Sequence, residues 1–263
     1  MSTAAFQPAA TPPAELAAVL RAQGYAVLEP RGVAAWLGLP DVSSLDVLAR
    51  DWHDLPPDEY LKDGGKYRRR RHACFRIEAD ATGEVVVPVA HRAHWQPVEY
   101  NALHGGMQRW FAPMQPSTLA LHVWQHLLGR LAALAGDLRG PRPWFVEAHQ
   151  FRIDTAAGIG RPTPEGAHRD GVDLVAVMLV ARHGIKGGET RVFEAEGRRG
   201  ERFTMTEPWT LMVLDDARVI HESTPIQPLG GPAEGGGGYR DTLVVTCRGG
   251  AFQGDDAAGF RAS

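Results

Sequence analysis

Apolar positions along the chain change their spacing near residue 140. Before it, Ser117–Gly136 carries Ala120, Val123, Trp124, Leu127, Leu128, Leu131 and Leu134 at the i, i+3, i+4, i+7 spacing of an amphipathic helix. A helix capped by Thr11, with Pro12 in its first turn, is predicted to run to Gln23 and stop at Gly24. Short helices near Val33–Leu37 and Ser44–Asp51, a strand over Tyr25–Leu28, and a hairpin of His72–Ala79 and Glu84–Val89 complete this half. From Trp144 the apolar runs are short and broken by Gly and Pro. Trp144–Ile153, Val172–Val180, Glu189–Glu194, Trp209–Leu214, Arg218–His221 and Tyr239–Cys247 read as strands, with a flexible loop at Gly235–Gly238. The expectation is a mainly β protein with helices (α+β), a β-sandwich or jelly roll buttressed by N-terminal helices. Residues 1–263 read as a single domain: a disordered tail over 1–12, a helical and hairpin layer over 13–140, and a jelly-roll core over 141–250.

Composition narrows the class. Glycine (30) and proline (19) exceed together their usual ~12%, which favours many turns over a helical bundle. The net charge of −3 gives no general case for binding nucleic acid or membrane. Cys74 and Cys247 allow at most one disulfide and no thiolate metal site. The first thirty residues lack a basic stretch followed by an apolar core, and no apolar run approaches ~18 residues, so a soluble, cytoplasmic protein is expected.

The eleven histidines invite chemistry. In His168-Arg169-Asp170, residues two apart share a face if the backbone is extended, so His168 and Asp170 can point together into a barrel. With His221, at the end of another strand, they make two imidazoles and one carboxylate, the facial triad of non-haem Fe(II) oxygenases. Lys186-Gly-Gly-Glu-Thr190 is a turn whose glycines permit positive φ. Tyr239-Arg-Asp-Thr242 opens the last strand, with Arg240 and Thr242 on one face among Leu243, Val244 and Val245. A buried arginine there requires an anionic partner, and its fork of donors suits a carboxylate.

In order along the chain, PEGAHRDGVD, KGGETRVF, LDDARVIHESTPI and YRDTLVVTC resemble the bacterial 2-oxoglutarate/Fe(II) dioxygenases of the L-isoleucine 4-hydroxylase type. YLKDGGKYRRRRHACF and QPVEYNALHGGMQRWFAP extend the resemblance over Tyr60 to Arg248. It implies a double-stranded β-helix, cupin-like, with His168, Asp170 and His221 as iron ligands. It further implies Arg240 as the anchor of the 2-oxoglutarate distal carboxylate, with Thr242 and Gln150 as further cosubstrate contacts. Fe(II) as cofactor, 2-oxoglutarate and O₂ as cosubstrates, and a free aliphatic L-amino acid as substrate follow from the same resemblance. The substrate carboxylate needs a cation, for which Arg70 or a neighbour in Arg68–Arg71 is the candidate, and Tyr100, Asn101 and Arg109 are candidate pocket residues.

Other readings are weaker. His122 and His126 are i, i+4 on the long helix but lack the adjacent glutamate of zinc proteases and fall on its polar face. Asp215 and Asp216 are expected in a turn before the His221 strand, and Asp173 as a residue orienting an iron ligand. Nucleic-acid binding through Arg68–Arg71 is disfavoured in a net-acidic chain. A metal-binding jelly roll without turnover would keep the triad and need no cosubstrate anchor, so Arg240 separates it from an oxygenase.

Overall fold

The computed structural model describes residues 6–80, 83–230 and 237–255. Strands β1 (Tyr25–Leu28), β2 (Arg68–Asp80), β3 (Gly83–Pro88) and β4 (Trp144–Asp154) are followed by β5 (Leu174–His183), β6 (Ile185–Gly187) and β7 (Thr190–Glu194). Then come β8 (Gly200–Phe203), β9 (Leu211–Asp215), β10 (Val219–Ser223), β11 (Ile226–Pro228) and β12 (Tyr239–Gly249). Pairing is antiparallel throughout, in a major sheet ordered β1-β9-β5-β12-β4-β2-β3, a minor sheet β10-β7-β8, and the pair β11-β6. This is the mainly β, jelly-roll architecture expected. The short strands β6, β8 and β11 were not anticipated, being too brief to show a period.

Alternation assigns the two faces of the major sheet. On β5, Leu174, Ala176, Met178 and Val180 enter the large core, while Val175, Val177 and Leu179 face the minor sheet with Val192, Phe203 and Val219. The helices α1 (Leu16–Gln23), α2 (Pro30–Leu37), α3 (Pro116–Leu119) and α4 (His122–Arg139) cover the first face. Trp124, Leu127, Leu128, Leu131 and Leu134, the stripe of α4, are buried there. The predicted single helix from Ser117 is two: Leu121 is extended (φ −70, ψ 132), and the Thr118 hydroxyl is held by Asp51. The helix expected at Ser44–Asp51 is a 3-10 segment, Val42–Asp54, started by Asp41 accepting from the Ser43 N–H.

The N-terminal half departs from expectation in three ways. β1, β2 and β3 are members of the major sheet, so only the helices of 13–140 form an added layer. Residues 6–12 are held rather than loose: the Thr204 N–H donates to the Phe6 carbonyl, and the Thr11 N–H to Val27. Thr11 therefore does not cap the first helix, which Pro12 and a 3-10 turn precede, although Gly24 (φ +83) ends it as predicted. Residues 1–5, the hairpin's Ala81 and Thr82, and Gly235 and Gly236 of the Gly235–Gly238 loop lie outside the described residues. Among the described residues no helix is long and apolar enough to cross a membrane, and both cysteines are free and buried.

Candidate active site

His168 and His221 face each other through an isolated antiparallel bridge: each N–H donates to the other's carbonyl, at 3.0 and 2.9 Å. His221 lies on β10, but His168 stands in a loop, not in the extended strand expected. The triad still converges. Asp170 places one carboxylate oxygen 3.8 Å from His168 Nε2 and the other 3.8 Å from His221 Nε2. His168 Nδ1–H donates to the Gly166 carbonyl at 2.9 Å, which leaves the Nε2 lone pair free for a metal. Burial opposes protonation of His168, but the Asp170 and Glu165 carboxylates outweigh it and raise its pKa. Burial, then the charge on His168, holds His221 well below the usual imidazole value. Two imidazoles and a carboxylate, within 4.8 Å of one another, fit Fe(II) and leave room for other ligands.

The residue that orients Asp170 is Asp216, not Asp173. Its fully buried carboxylate accepts from the backbone N–H groups of Asp170, Gly171 and Val172 at 3.0, 2.8 and 3.1 Å. Burial and the neighbouring Asp170 charge push its pKa up to about 6. Asp173 instead accepts from the Gly249 N–H and pairs with Arg139, which also holds Asp215.

β12 runs along the pocket beside the triad. Arg240, Thr242 and Val244 line it, while Leu243, Val245 and Cys247 enter the helix-covered core. Arg240 is 4% exposed, and its Nε and Nη2 have no hydrogen-bond partner among the described residues. Burial, then the Arg182 charge, lowers it to about 10. A buried guanidinium with orphaned donors fits a dicarboxylate tail. Gly187 and Gly188 take φ of +80 and +69 as expected of their turn, and a Cβ on Gly187 would lie 2.3 Å from the Pro225 carbonyl oxygen. Gln150 does not reach the pocket. It pairs with Leu243, on the helix side of β4, opposite to His149 and Phe151.

The arginine run alternates with the pleat of β2. Arg68 and Arg70 are buried and line the pocket, whereas Arg69 is exposed and Arg71 meets Asp54, so the four form no common basic surface. Asp58 pairs with Arg68 at 2.6 Å and Arg70 at 3.7 Å. The Arg70 guanidinium sits 3.6 Å from the Phe111 ring centre and 4.3 Å from that of Phe151. Arg109 and Asn101 line the pocket as expected, and both contact Gln96, at 2.9 and 3.1 Å, whose amide N–H donates to Asp170 at 3.2 Å. Tyr100 is not a wall residue; its ring lies against Gly171 and Arg169. His126 Nε2–H donates to the Leu37 carbonyl, and neither it nor His122 belongs to a metal-ligand cluster among the described residues.

Sequence reasoning missed Gln96, the hold of Asp216 on the Asp170 backbone, and a second cluster, His72, His94, Glu147 and His149, while Asp216 does stand in the turn expected for it. Glu147 and His149, two apart and so on one face of a strand that opens with Trp144, Phe145 and Val146, were the available signal for it.

The 2OG-Fe dioxygenase family model matches residues 49–246, a span that holds the triad and Arg240. A crystal structure of a bsmA homolog from Methylobium petroleophilum PM1 is 50% identical, with TM-score 0.85, covering 94% of this chain and 97% of that one. IDO from Bacillus thuringiensis is 18% identical, with TM-score 0.71, over 91% of this chain and all (100%) of that one. The Fe(II)/(alpha)ketoglutarate-dependent dioxygenase TqaL is 18% identical, with TM-score 0.65, over 92% of this chain and 88% of that one. At that identity the last two share the fold. No curated protein matches the sequence.

Proposed function

The chain belongs to the 2OG-Fe dioxygenase family, and on that premise we propose that it hydroxylates an unactivated C–H bond of a free aliphatic L-amino acid, the reaction of the isoleucine 4-hydroxylase type. Fe(II) is the cofactor of the family, with 2-oxoglutarate and O₂ as cosubstrates. The observation that carries the substrate reading is that the pocket holds, apart from the cation at Arg240, a second set of buried guanidinium groups at Arg70 and Arg109. Arg240 lies on β12, Arg70 on β2, and Arg109 in the segment 89–115 that joins β3 to α3.

His168, Asp170 and His221 hold the iron, which when bound couples O₂ activation to oxidative decarboxylation of 2-oxoglutarate to succinate and CO₂. Arg240 binds the distal carboxylate of 2-oxoglutarate through its orphaned donors, and the Thr242 hydroxyl on the same strand face adds a hydrogen bond. Val177, Met212 and Val244 give that end apolar walls that exclude water. Arg109, aimed by Gln96, and Arg70, clamped between two phenylalanine rings, receive the substrate carboxylate and so fix the side chain relative to the metal. A sensor without turnover offers no reason for a buried cation at Arg240.

The test is anaerobic Fe(II) and 2-oxoglutarate binding, then a panel of free amino acids scored for succinate and for products heavier by one oxygen. Stimulation by an aliphatic amino acid is expected. A silent panel, with turnover on a peptide or an N-acylated amino acid, moves the substrate to a larger class.

A further inference from the structure

Glu147, on the pocket face of β4, is 6% exposed. His94 Nδ1–H donates to its Oε2 at 2.5 Å and His72 Nε2–H at 3.2 Å, and His149 Nε2 lies 3.6 Å away. Arg70 Nη2 donates to His149 Nδ1 at 2.7 Å, which puts the ring's own proton on Nε2, toward Glu147. Three histidines and a glutamate within 4.8 Å invite a metal ion, but the geometry opposes one. The proton on His149 Nε2 occupies the lone pair a metal would use. His72 and His149 stack at 4.5 Å with their planes 14° apart, so lone pairs lying in those planes cannot meet at one ion. Arg70 and Arg109 in the same pocket add repulsion.

The cluster is instead a carboxylate held by imidazoles. Burial keeps the histidines neutral, with His94 lowered to about 4, and lowers His72 and His149 too. Burial also opposes ionisation of Glu147, but the imidazole donors outweigh it and hold its carboxyl well below the usual range. Among the described residues, no lysine or arginine comes within ion-pairing distance of it; His149 stands between it and Arg70. The pocket therefore carries an ionised carboxylate lacking a cation, and guanidinium groups of which Arg70 Nε and Arg109 Nε lack partners. Buried charges of both signs, kept apart by one ring, complement a zwitterion.

We propose that Glu147 accepts the ammonium group of the substrate while Arg70 and Arg109 take its carboxylate, so that the pocket selects an α-amino acid over a simple carboxylic acid or amine. This rests on the amino-acid reading above and names a residue that reading leaves open. The test uses full-length protein with Fe(II) and 2-oxoglutarate, kept anaerobic, and calorimetric titration with L-leucine, 4-methylpentanoate (no ammonium) and 3-methylbutylamine (no carboxylate). Parallel triplets are built on the other aliphatic amino acids. In the wild type each truncated probe is expected to bind about 10- to 100-fold more weakly than its amino acid, the range for a charge-assisted hydrogen bond. Glu147→Gln is expected to weaken the amino acid and the amine by a similar factor and to leave the carboxylic acid within about twofold. Equal losses for all three probes, or none for the amine, overturn the proposal. Should Glu147→Gln fail to fold, wild-type binding of 4-methylpentanoate as tight as that of leucine overturns it alone. If no free amino acid binds but the amine binds in a Glu147-dependent way, the amino-acid reading fails and the cation site stands.

Discussion

Replacing Arg240 with methionine is expected to move stability and cosubstrate binding in opposite directions. Burial and the Arg182 charge push the Arg240 guanidinium down to about 10, against an ordinary 12.5. For a base whose pKa is lowered on folding, the penalty is fully present below about pH 10 and is relieved as pH rises toward the unfolded value. At ~1.4 kcal/mol per pH unit, carrying this charge costs the ligand-free protein roughly 3 kcal/mol at neutral pH. Methionine, of similar length and uncharged, removes that cost, so ligand-free Arg240→Met is expected to be more stable by up to about 3 kcal/mol. The same change removes the partner of the distal carboxylate and weakens 2-oxoglutarate by about 2–5 kcal/mol, roughly 30-fold to several thousandfold. Denaturant unfolding with and without 2-oxoglutarate reads both terms. At a hundred times its dissociation constant the cosubstrate stabilises the wild type by about 2.7 kcal/mol, and at the same concentration the variant is expected to gain less than about 1 kcal/mol. Arg240→Lys recovers part of the affinity, since an ammonium cannot form the two-pronged contact. A less stable ligand-free Arg240→Met, or one still stabilised by 2-oxoglutarate like the wild type, refutes the reasoning.

His168→Ala and Asp170→Ala are expected to abolish Fe(II) binding with unfolding midpoints near that of the wild type, because both side chains line the pocket rather than the packed core; near-normal iron affinity in either variant counts against the triad. Asp216→Ala strips three backbone N–H groups of their acceptor and is expected to cost about 1–3 kcal/mol and to speed iron loss, read by chelator competition. His94 and His104 are both held to about 4, chiefly by burial. Their neutral forms are favoured on folding, so stability is expected to fall as pH drops from the unfolded value near ~6.5 toward 4, by at most roughly 3 kcal/mol for His94. His94→Gln should flatten that limb of the pH–stability curve. Arg109→Met is expected to raise KM for the amino acid at least tenfold while leaving 2-oxoglutarate affinity unchanged, which steady-state kinetics and calorimetry separate.

Strand periodicity made most of the major sheet legible. Tyr25–Leu28 was located to the residue, and β4, β5 and β12 to within a few. What the period does not carry is the phase between neighbouring strands. The family resemblance makes Gln150 a cosubstrate contact. Its partner on β12, however, is Leu243, a core residue, and that pairing is fixed by register, which no single segment states. His168 was misplaced for a related reason. The stretch around it contains Gly166 and Gly171 at positive φ, so it bends as a loop and meets His221 only through a bridge. Thr11 has the composition of a helix cap, yet its N–H is taken by Val27 on β1. Local chemistry was right about these residue types, and long-range pairing decided where they went.

The arginines show how a function hides in alternation. Arg68–Arg71 looks like a charge run, and a pleated strand divides it: Arg68 and Arg70 enter the pocket, while Arg69 is exposed and Arg71 turns away to Asp54 and the Pro113 carbonyl. Whether an inward arginine binds substrate then depends on what already neutralises it, and the structure separates the cases. Arg68 is paired tightly by Asp58, Arg70 loosely, and Arg109 by no carboxylate within ion-pairing distance among the described residues. Arg109 is held instead through Gln96, whose oxygen accepts from it and whose nitrogen donates to the iron ligand Asp170. One amide thus fixes the distance between the proposed carboxylate site and the metal. That distance sets which carbon of the substrate is presented for oxidation, so the position of hydroxylation is expected to depend on Gln96 as well as on the shape of the apolar walls.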